Sequence, residues 1–177
     1  FDDLAATETP QGVIGLFERP RSRFEAMISR PDSIVVALDG VQDPGNVGTI
    51  IRLAAAFDAA GVALLPGCAD PFSPKAIRAS VGAILSTAVA PATLSQLLSC
   101  GLPLFAADAR GDARELPREA CVLVLGSEGG GVSGEILETA TRIAVKTSGR
   151  VESLNVASSA AILLSRRYER RVNKKSD

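Results

Sequence analysis

The amino-acid sequence predicts an α/β fold with a mainly parallel sheet and helices on both faces. Short apolar runs typical of buried strands alternate along the chain with segments of helical periodicity, the pattern of strand-helix-strand units. Strands are predicted over residues 34–38, 62–65, 87–89, 104–107, 121–125 and 142–146. Helices are predicted over residues 49–60, 74–85, 93–100 and 135–140, and from residue 154 onward.

Capping residues and polar stretches mark the boundaries of these elements. Ser73 followed by Pro74 is a typical helix start, and Thr93 is a candidate cap for the next helix. Residues 108–117 are charged and are predicted to form an exposed loop. Residues 1–32 contain at most one short helix, so we predict a linker or docking arm there, followed by one folded domain over residues 33–177.

The composition limits the chemistry that the chain can carry out. Its 177 residues suit one domain, and its core must consist of Ala, Val, Leu and Ile because aromatic residues make up only 4%. The net charge of −1 lacks the basic excess typical of nucleic-acid-binding domains. The absence of histidine excludes Ser-His-Asp catalysis, Cys-His catalysis and His-ligated metal sites. Carboxylate clusters with metal-binding spacing are also absent, so no metal is expected.

The cysteines and the apolar runs indicate an intracellular protein. Cys68, Cys100 and Cys121 are odd in number and show no CxxC spacing, which predicts reduced, buried thiols. No apolar run approaches the roughly 20 residues of a membrane-spanning helix, so no membrane association is expected.

A run of cations near the C-terminus allows two interpretations. The run comprises Arg166, Arg167, Arg170, Arg171, Lys174 and Lys175. The simpler interpretation is a solvated helix end whose cations lie near the negative pole of the helix dipole. The second interpretation is contact with phosphate.

Three loops, residues 39–48, 126–133 and 147–153, directly follow predicted strands. Because ligands bind beyond the carboxyl ends of the strands in open parallel sheets, these loops are expected to meet at one site. The glycines at 126 and 129–131 expose backbone groups and allow a ligand to approach closely.

The polar residues of these loops each have a structural explanation as well as a functional one. Asn46 is a candidate cap for the helix that follows it, and Ser153 is a candidate cap for the C-terminal helix. Residues 129–131 equally suit a flexible turn. Arg52 lies within a strongly apolar helix, where a guanidinium needs a carboxylate or phosphate partner.

Three motifs occupy these loops in order. The first is Asp-Pro-Gly-Asn-Val-Gly-Thr-Ile-Ile-Arg at residues 43–52, and the second is Leu-Gly-Ser-Glu-Gly-Gly-Gly-Val-Ser at residues 125–133. The third is Glu-Ser-Leu-Asn-Val-Ala-Ser at residues 152–158. Together they resemble the SpoU (TrmH-like) family of RNA 2′-O-ribose methyltransferases in the SPOUT superfamily. The resemblance covers about residues 33–167.

The resemblance implies a fold, a cofactor and partners. It implies a C-terminal deep trefoil knot that holds S-adenosylmethionine, a homodimer, and methyl transfer to structured RNA in the cytoplasm, with rRNA preferred over tRNA. The implied cofactor contacts are Leu125, Gly126, Ser127, Glu128, Gly131, Val145 and Leu154. The implied catalytic positions are Asn46, Arg52, Glu128, Ser153 and Asn155.

The resemblance also implies how the domains are arranged. Residues 9–13 look like the family's junction between a small N-terminal RNA-binding domain and the catalytic domain. We therefore expect such a domain to precede the arm at residues 1–32, and residues 33–177 to form the SPOUT catalytic domain.

The chemistry of methyl transfer suggests a role for each polar position. A ribose hydroxyl is a poor nucleophile, so catalysis needs in-line positioning and help in removing the proton. A guanidinium is effectively always protonated, so Arg52 is interpreted as a clamp for an RNA phosphate and a stabiliser of negative charge. It would be a base only if strongly desolvated. Glu128 is expected to orient Arg52 or Asn46, and Ser153 and Asn155 to fix the loops.

One position departs from the family pattern, and two other interpretations stay open. Where the family usually has Ile-Pro-Met, the chain has Val145, Lys146 and Thr147, so the exact wall of the expected adenine pocket is left open, while the backbone contacts are kept. The first alternative is a non-catalytic dimeric RNA-binding or assembly protein on the same fold. The second is a nucleotide-binding protein that holds phosphates at residues 129–131. The near-neutral charge predicts weak RNA binding with a shallow salt dependence.

Overall fold

The structure, a computed structural model, describes residues 15–173. Predictions for residues 1–14, for Lys174 and for Lys175 therefore lie outside the described residues. The strands are β1 (Ile34–Asp39), β2 (Gly61–Leu64), β3 (Val89–Pro91), β4 (Leu104–Asp112), β5 (Cys121–Gly126) and β6 (Thr141–Ile143). The helices are α1 (Phe24–Ile28), α2 (Pro44–Ala56), α3 (Pro74–Ser80), α4 (Leu94–Leu98), α5 (Gly134–Leu137) and α6 (Val156–Asn173), with a 3-10 turn at Ala83–Leu85.

The six strands form one sheet in the order β3-β2-β1-β5-β4-β6. Every neighbouring pair is parallel, which confirms the predicted sheet. The two central strands pair along their whole length, from Ile34 opposite Cys121 to Asp39 opposite Gly126. The strands β2 and β3 lie beyond β1 on one side of the sheet, and the strands β4 and β6 lie beyond β5 on the other side. The strand order thus reverses between β1 and β5, which is where open α/β sheets form a ligand-binding crevice.

Helices cover both faces of the sheet, as the sequence predicts. Alternate residues of β1 point to opposite faces, so Ile34, Val36 and Leu38 belong to one buried cluster and Val35 and Ala37 to another. The first cluster includes the apolar faces of α2 and α6, and the second includes those of α1, α4 and α5. The two faces are therefore closed by different helices, and α2 and α6 lie on the same face.

The prediction that α2 begins at residue 49 is wrong. The helix begins at Pro44, because the Asp43 carboxylate accepts a hydrogen bond from the Asn46 backbone N–H at 2.9 Å. Asp43 is therefore the cap, and Asn46 lies within the first helical turn instead of capping it. At Gly48 the helix packs closely on α3, since a Cβ there would lie 2.2 Å from the Ala76 carbonyl oxygen.

Other boundaries differ from prediction for local reasons. Ser73 and Thr93 cap their helices as predicted, but the helix predicted over residues 74–85 is interrupted where Val81 and Gly82 adopt left-handed conformations. The strand β4 extends to Asp112, so residues 108–112, predicted as loop, belong to the sheet. β3 ends two residues later than predicted, and β6 ends at Ile143.

The interpretation of the C-terminal cations as a solvated helix end is wrong for most of the described ones. Arg167 is only 2% exposed, and its guanidinium donates to the backbone carbonyls of Asp32, Pro117, Arg118 and Glu119 at 2.8–3.2 Å. Two further arginines bind the body of the protein. Arg170 pairs with Glu115 at 2.7 Å, and Arg171 pairs with Asp58 at 2.6 Å. These arginines tie α6 to the loops that lead into β1 and β5.

We predict that Arg167→Met destabilises the protein by about 2 kcal/mol or more, because buried carbonyl oxygens lose their donor. For a domain of this size the melting temperature should fall by roughly 4–8 °C, measured by differential scanning calorimetry. The matched control is Arg166→Met, because Arg166 is the exposed neighbour on the same helix. If both substitutions changed the melting temperature equally, the carbonyl contacts of Arg167 would not be what stabilises α6.

Candidate active site

The three predicted loops meet at the carboxyl edge of β1 and β5. The Asp39 carboxylate, at the end of β1, accepts a hydrogen bond from the Ser133 backbone N–H at 2.7 Å. The Asn46 side-chain amide donates a hydrogen bond to Glu128 Oε1. Asn155 Nδ2 donates to Asn46 Oδ1 at 3.2 Å. Three segments that are far apart in sequence are therefore joined directly, and Asn46 is the residue common to two of these contacts.

Asn155 also begins the C-terminal helix. Its Oδ1 accepts hydrogen bonds from the backbone N–H groups of Ala157 at 2.9 Å and Ser158 at 3.3 Å. Asn155 is therefore the cap of α6, and the alternative that assigned this role to Ser153 is wrong. Because one amide both caps α6 and holds Asn46, the start of α6 has a fixed position relative to α2.

The first turn of α2 is held from the side by α3. Lys75 Nζ lies 2.6 Å from Asp43 Oδ2, while Asp43 Oδ1 caps the backbone of Asn46. The Lys75 hydrogen bond and the capping contact together lower the pKa of Asp43. The carboxylate therefore stays ionised near neutral pH and keeps the turn that carries Asn46 in place.

Arg52 does not join this group within one chain. Six residues after Asn46, it lies roughly 240° around the helix axis and about 9 Å along it. Its side chain is exposed, and within residues 15–173 it makes no hydrogen bond or ion pair. Glu128 therefore contacts Asn46 and not Arg52, and the exposed guanidinium of Arg52 is free to be solvated by water or to meet an anion from outside the described chain.

A cavity of about 500 Å³ opens beyond the carboxyl ends of β4, β5 and β6. This volume falls within the range of small-molecule sites. All seven residues predicted to contact a cofactor line it, namely Leu125, Gly126, Ser127, Glu128, Gly131, Val145 and Leu154. Of the predicted catalytic residues, Glu128 and Ser153 line the cavity, whereas Asn46 and Asn155 reach it through Glu128.

The loop after β5 has a closed conformation that needs glycine. Ser127 and Gly131 exchange backbone hydrogen bonds at 2.9 and 3.1 Å, and Gly131 has a φ of +67°. A Cβ at Gly126 would lie 2.0 Å from the Gly131 carbonyl carbon, so only glycine allows this approach. The alternative of a merely flexible turn does not fit these contacts.

Asp108 and Arg110 also line the cavity but were not predicted as site residues. Both Ala107 and Asp112 pair with Ile143, so the residues between them bulge out of β4 at the cavity wall. The Arg110 guanidinium donates to both oxygens of Asp108 and lowers the pKa of that carboxyl. The sequence position of Asp108 could have identified it as a site residue, because Asp108 directly follows a predicted strand at the same sheet edge.

The charges around the cavity favour a cationic ligand. Among the described residues that line it, Asp108, Glu128 and Glu152 are acidic, and Arg110 is the one cation. The backbone N–H of Ser133, at the start of α5, is already hydrogen-bonded to the Asp39 carboxylate. Phosphate groups would therefore meet acidic side chains here, which argues against the alternative of a phosphate-binding nucleotide site.

Metal and thiol chemistry find no support in the described part of the chain. Residues 15–173 contain no group of three or more Cys, Asp or Glu side chains that could hold a metal ion. Burial raises the pKa of the Cys121 thiol to about 11, so it stays protonated near neutral pH. The three cysteines are free thiols, of which Cys121 is buried and the other two are partly buried.

Over the same residues, no helix combines the length and apolar character needed to cross a bilayer.

Comparison with known proteins agrees with this geometry. The profile of the SpoU rRNA Methylase family matches residues 33–165, which include all three loops. The chain belongs to this family. The predicted membership of a family of S-adenosylmethionine-dependent RNA methyltransferases is thereby confirmed.

Relatives of this SpoU chain act on ribosomal RNA. It is 34% identical to the 23S rRNA (guanosine(2553)-2′-O)-methyltransferase RlmP of Bacillus subtilis, over 93% of this chain and 67% of that protein. It is 35% identical to the 23S rRNA (adenosine(1067)-2′-O)-methyltransferase of Streptomyces laurentii, over 95% of this chain and 66% of that protein. The SpoU chain thus spans about two thirds of the length of these relatives.

A solved SpoU-like structure matches the fold. The AdoMet-bound rRNA methyltransferase from Sinorhizobium meliloti superposes with a TM-score of 0.80 and 32% identity, covering 88% of this chain and 63% of that one. The six-stranded parallel sheet of the SpoU chain is therefore that of SPOUT methyltransferases.

We predict that Gly126→Ala weakens binding of S-adenosylhomocysteine at least tenfold, a loss of about 1.4 kcal/mol, because the loop after β5 must move away from the new Cβ. Isothermal titration calorimetry measures the affinity. Gly129→Ala is the matched control, since a Cβ at Gly129 meets no atom within 4 Å. Wild-type affinity in Gly126→Ala would contradict the role given to this close contact.

Proposed function

We propose that this chain is the catalytic part of an RNA methyltransferase that transfers a methyl group from S-adenosylmethionine to a ribose 2′-hydroxyl. One observation carries the proposal. An acidic cavity suited to a small cationic ligand adjoins the hydrogen-bonded group of Asn46, Glu128 and Asn155, and Glu128 belongs to both.

The cavity residues suit S-adenosylmethionine, whose sulfonium and ammonium groups outnumber its single carboxylate. Glu128 and Glu152 supply negative charge around it, whereas the charge of Asp108 is compensated by Arg110 and Arg142. The backbone at Gly126, Val145 and Leu154 would hold the adenosine part. When bound, the cofactor supplies an electrophilic methyl group. The described residues have to position the ribose hydroxyl in line with that methyl group and exclude competing water.

The roles of the polar residues follow from their contacts. Glu128 orients Asn46, and Asn155 fixes Asn46 from the other side, so the Asn46 amide is held at the cavity edge with little freedom to rotate. Ser153 lines the cavity beside them. These groups would orient the target ribose and form hydrogen bonds with it, and the Glu128 carboxylate at the cavity would accept the 2′-hydroxyl proton as the oxygen bonds to the methyl group and the carbon–sulfur bond breaks.

Arg52 is proposed to clamp an RNA phosphate next to the target nucleotide. Its guanidinium is exposed, so it lacks the desolvation that a general base would need. A phosphate of bound RNA would supply the anionic partner that the described chain does not. In the homodimer proposed below it would also stabilise the negative charge that develops on the ribose oxygen, because within one chain Arg52 lies away from the cavity.

The proposal also covers the RNA substrate, the domain arrangement and the cellular location of the whole protein. We propose ribosomal RNA in preference to transfer RNA, because the two named relatives act on 23S rRNA. Residues 33–177 would form the catalytic domain, and residues 1–32 an arm that follows an RNA-binding domain and whose helix α1 packs on the sheet. A cytoplasmic location follows from the RNA substrate.

A trefoil knot and a homodimer belong to the same proposal. The position of β6 beyond β4, with α6 returning to pack on α2, is compatible with a C-terminal knot around the cavity. A homodimer would offer a second surface from which RNA could reach both Arg52 and the cavity.

We predict that Asn46→Ala and Arg52→Ala each lower methyl transfer by roughly 100-fold, because the ribose and its phosphate lose their positioning. The assay follows a labelled methyl group from S-adenosylmethionine into unmodified 23S rRNA. Resistance of the product to alkaline cleavage distinguishes ribose 2′-O-methylation from base methylation. Arg166→Ala, which changes an exposed arginine away from the site, should keep wild-type activity.

Two outcomes would contradict the proposal. If Asn46→Ala and Arg52→Ala transferred methyl groups at the wild-type rate, the assigned roles would be wrong. If the wild-type protein bound RNA but transferred no methyl group, the non-catalytic RNA-binding alternative would be favoured.

A further inference from the structure

Three of the four described arginines near the C-terminus are not available to bind RNA, and the exposed fourth, Arg166, lies beside Arg167 near the amino edge of the sheet, away from the cavity. Arg167, Arg170 and Arg171 bind carbonyl and carboxylate oxygens of the protein itself. The charged side chains that line the cavity are three carboxylates and one guanidinium, so phosphate is not favoured there. An RNA backbone that brings a ribose to this cavity therefore needs cations elsewhere along its edge.

The loop between β6 and α6 has two different sides. Val145, Thr147, Gly149 and Val151 line the cavity, whereas the residues between them do not. Up to Ser148 this alternation is that of an extended chain, in which successive side chains point in opposite directions, and the backbone then turns at Gly149. The residues on the outer side are Lys146, Ser148 and Arg150, and all three are exposed.

The two outer cations have no partner among the described residues. Within residues 15–173, the side chains of Lys146 and Arg150 make no hydrogen bond or ion pair. They flank a turn at Gly149, whose φ is +76°. Arg150 precedes Ser153 by three residues, so both cations lie on the segment that leads from the cavity wall into the catalytic group.

We propose that Lys146 and Arg150 form a phosphate-binding rim that holds the substrate RNA against the cavity. The inference rests on the proposed function and deepens it by naming contacts for the RNA backbone. One loop then serves two ligands, with the cofactor on its inner side and the RNA on its outer side. Lys146, which stands where the family usually has proline, supplies a charge that proline cannot.

The test measures RNA affinity and its salt dependence. The probe is a fluorescently labelled hairpin transcribed from unmodified 23S rRNA, titrated at several salt concentrations with the 177-residue chain. The double variant Lys146→Ser/Arg150→Ser should bind the hairpin roughly tenfold more weakly at low salt and lower the slope of log K against log salt by about 1–2. Its affinity for S-adenosylhomocysteine should stay at the wild-type value, because neither side chain lines the cavity.

The matched control is Arg23→Ser/Arg166→Ser. Both residues are exposed, and neither lines the cavity or belongs to the loop between β6 and α6, so RNA affinity and salt slope should not change. Equal losses in the two double variants would overturn the proposal, as would wild-type RNA affinity in Lys146→Ser/Arg150→Ser. Absence of measurable hairpin binding by the wild-type chain at low salt would also overturn it. Methyl transfer by the wild type, measured in parallel, shows separately whether the proposed function fails.

Discussion

The hydrogen bonds of the Asn46 side chain are the contacts on which the arrangement of the site depends. Its amide nitrogen donates to Glu128 and its oxygen accepts from Asn155, so a single side chain joins the loops that follow β1, β5 and β6. These contacts require β1 and β5 to be paired in register, because a shift of one residue would move Asn46 and Glu128 apart. The central strand pair and the polar group at its end are therefore one structural unit.

Although the net charge is close to zero, basic and acidic side chains lie in different parts of the fold. Buried or paired arginines fix α6 at the amino edge of the sheet, where they serve stability. Acidic side chains gather around the cavity at the opposite edge, and two exposed cations lie on the outer side of its last loop. The ligands that the protein can bind therefore depend on where each charge lies in the fold, and the composition alone does not predict them.

The parts of the fold that the sequence predicts well are those set by local pattern. Strand and helix alternation predicts the parallel sheet, and the rule that loops meet at the carboxyl edge predicts that the loops carrying Asn46 and Glu128 come together. The cofactor contacts come from the family resemblance, and every one of those residues lines the cavity. Their catalytic roles stay predictions, because the contacts alone do not measure activity.

Apart from helix and strand boundaries that are set locally, the errors come from contacts between distant parts of the chain. The burial of Arg167 depends on carbonyl groups about fifty residues before it, which no local pattern reveals. The bulge at Asp108 depends on pairing with β6, and the choice of Asn155 over Ser153 as a cap depends on where α6 meets α2.

We propose that the cavity beyond β4, β5 and β6 holds S-adenosylmethionine and not a phosphate-bearing nucleotide. Calorimetric titration of the wild-type chain with S-adenosylhomocysteine, with ATP and NAD as comparisons, tests it most directly. We predict saturable binding of S-adenosylhomocysteine at about one site per chain, with no binding of ATP or NAD. Binding of ATP or NAD in preference to S-adenosylhomocysteine would contradict the assignment of this cavity.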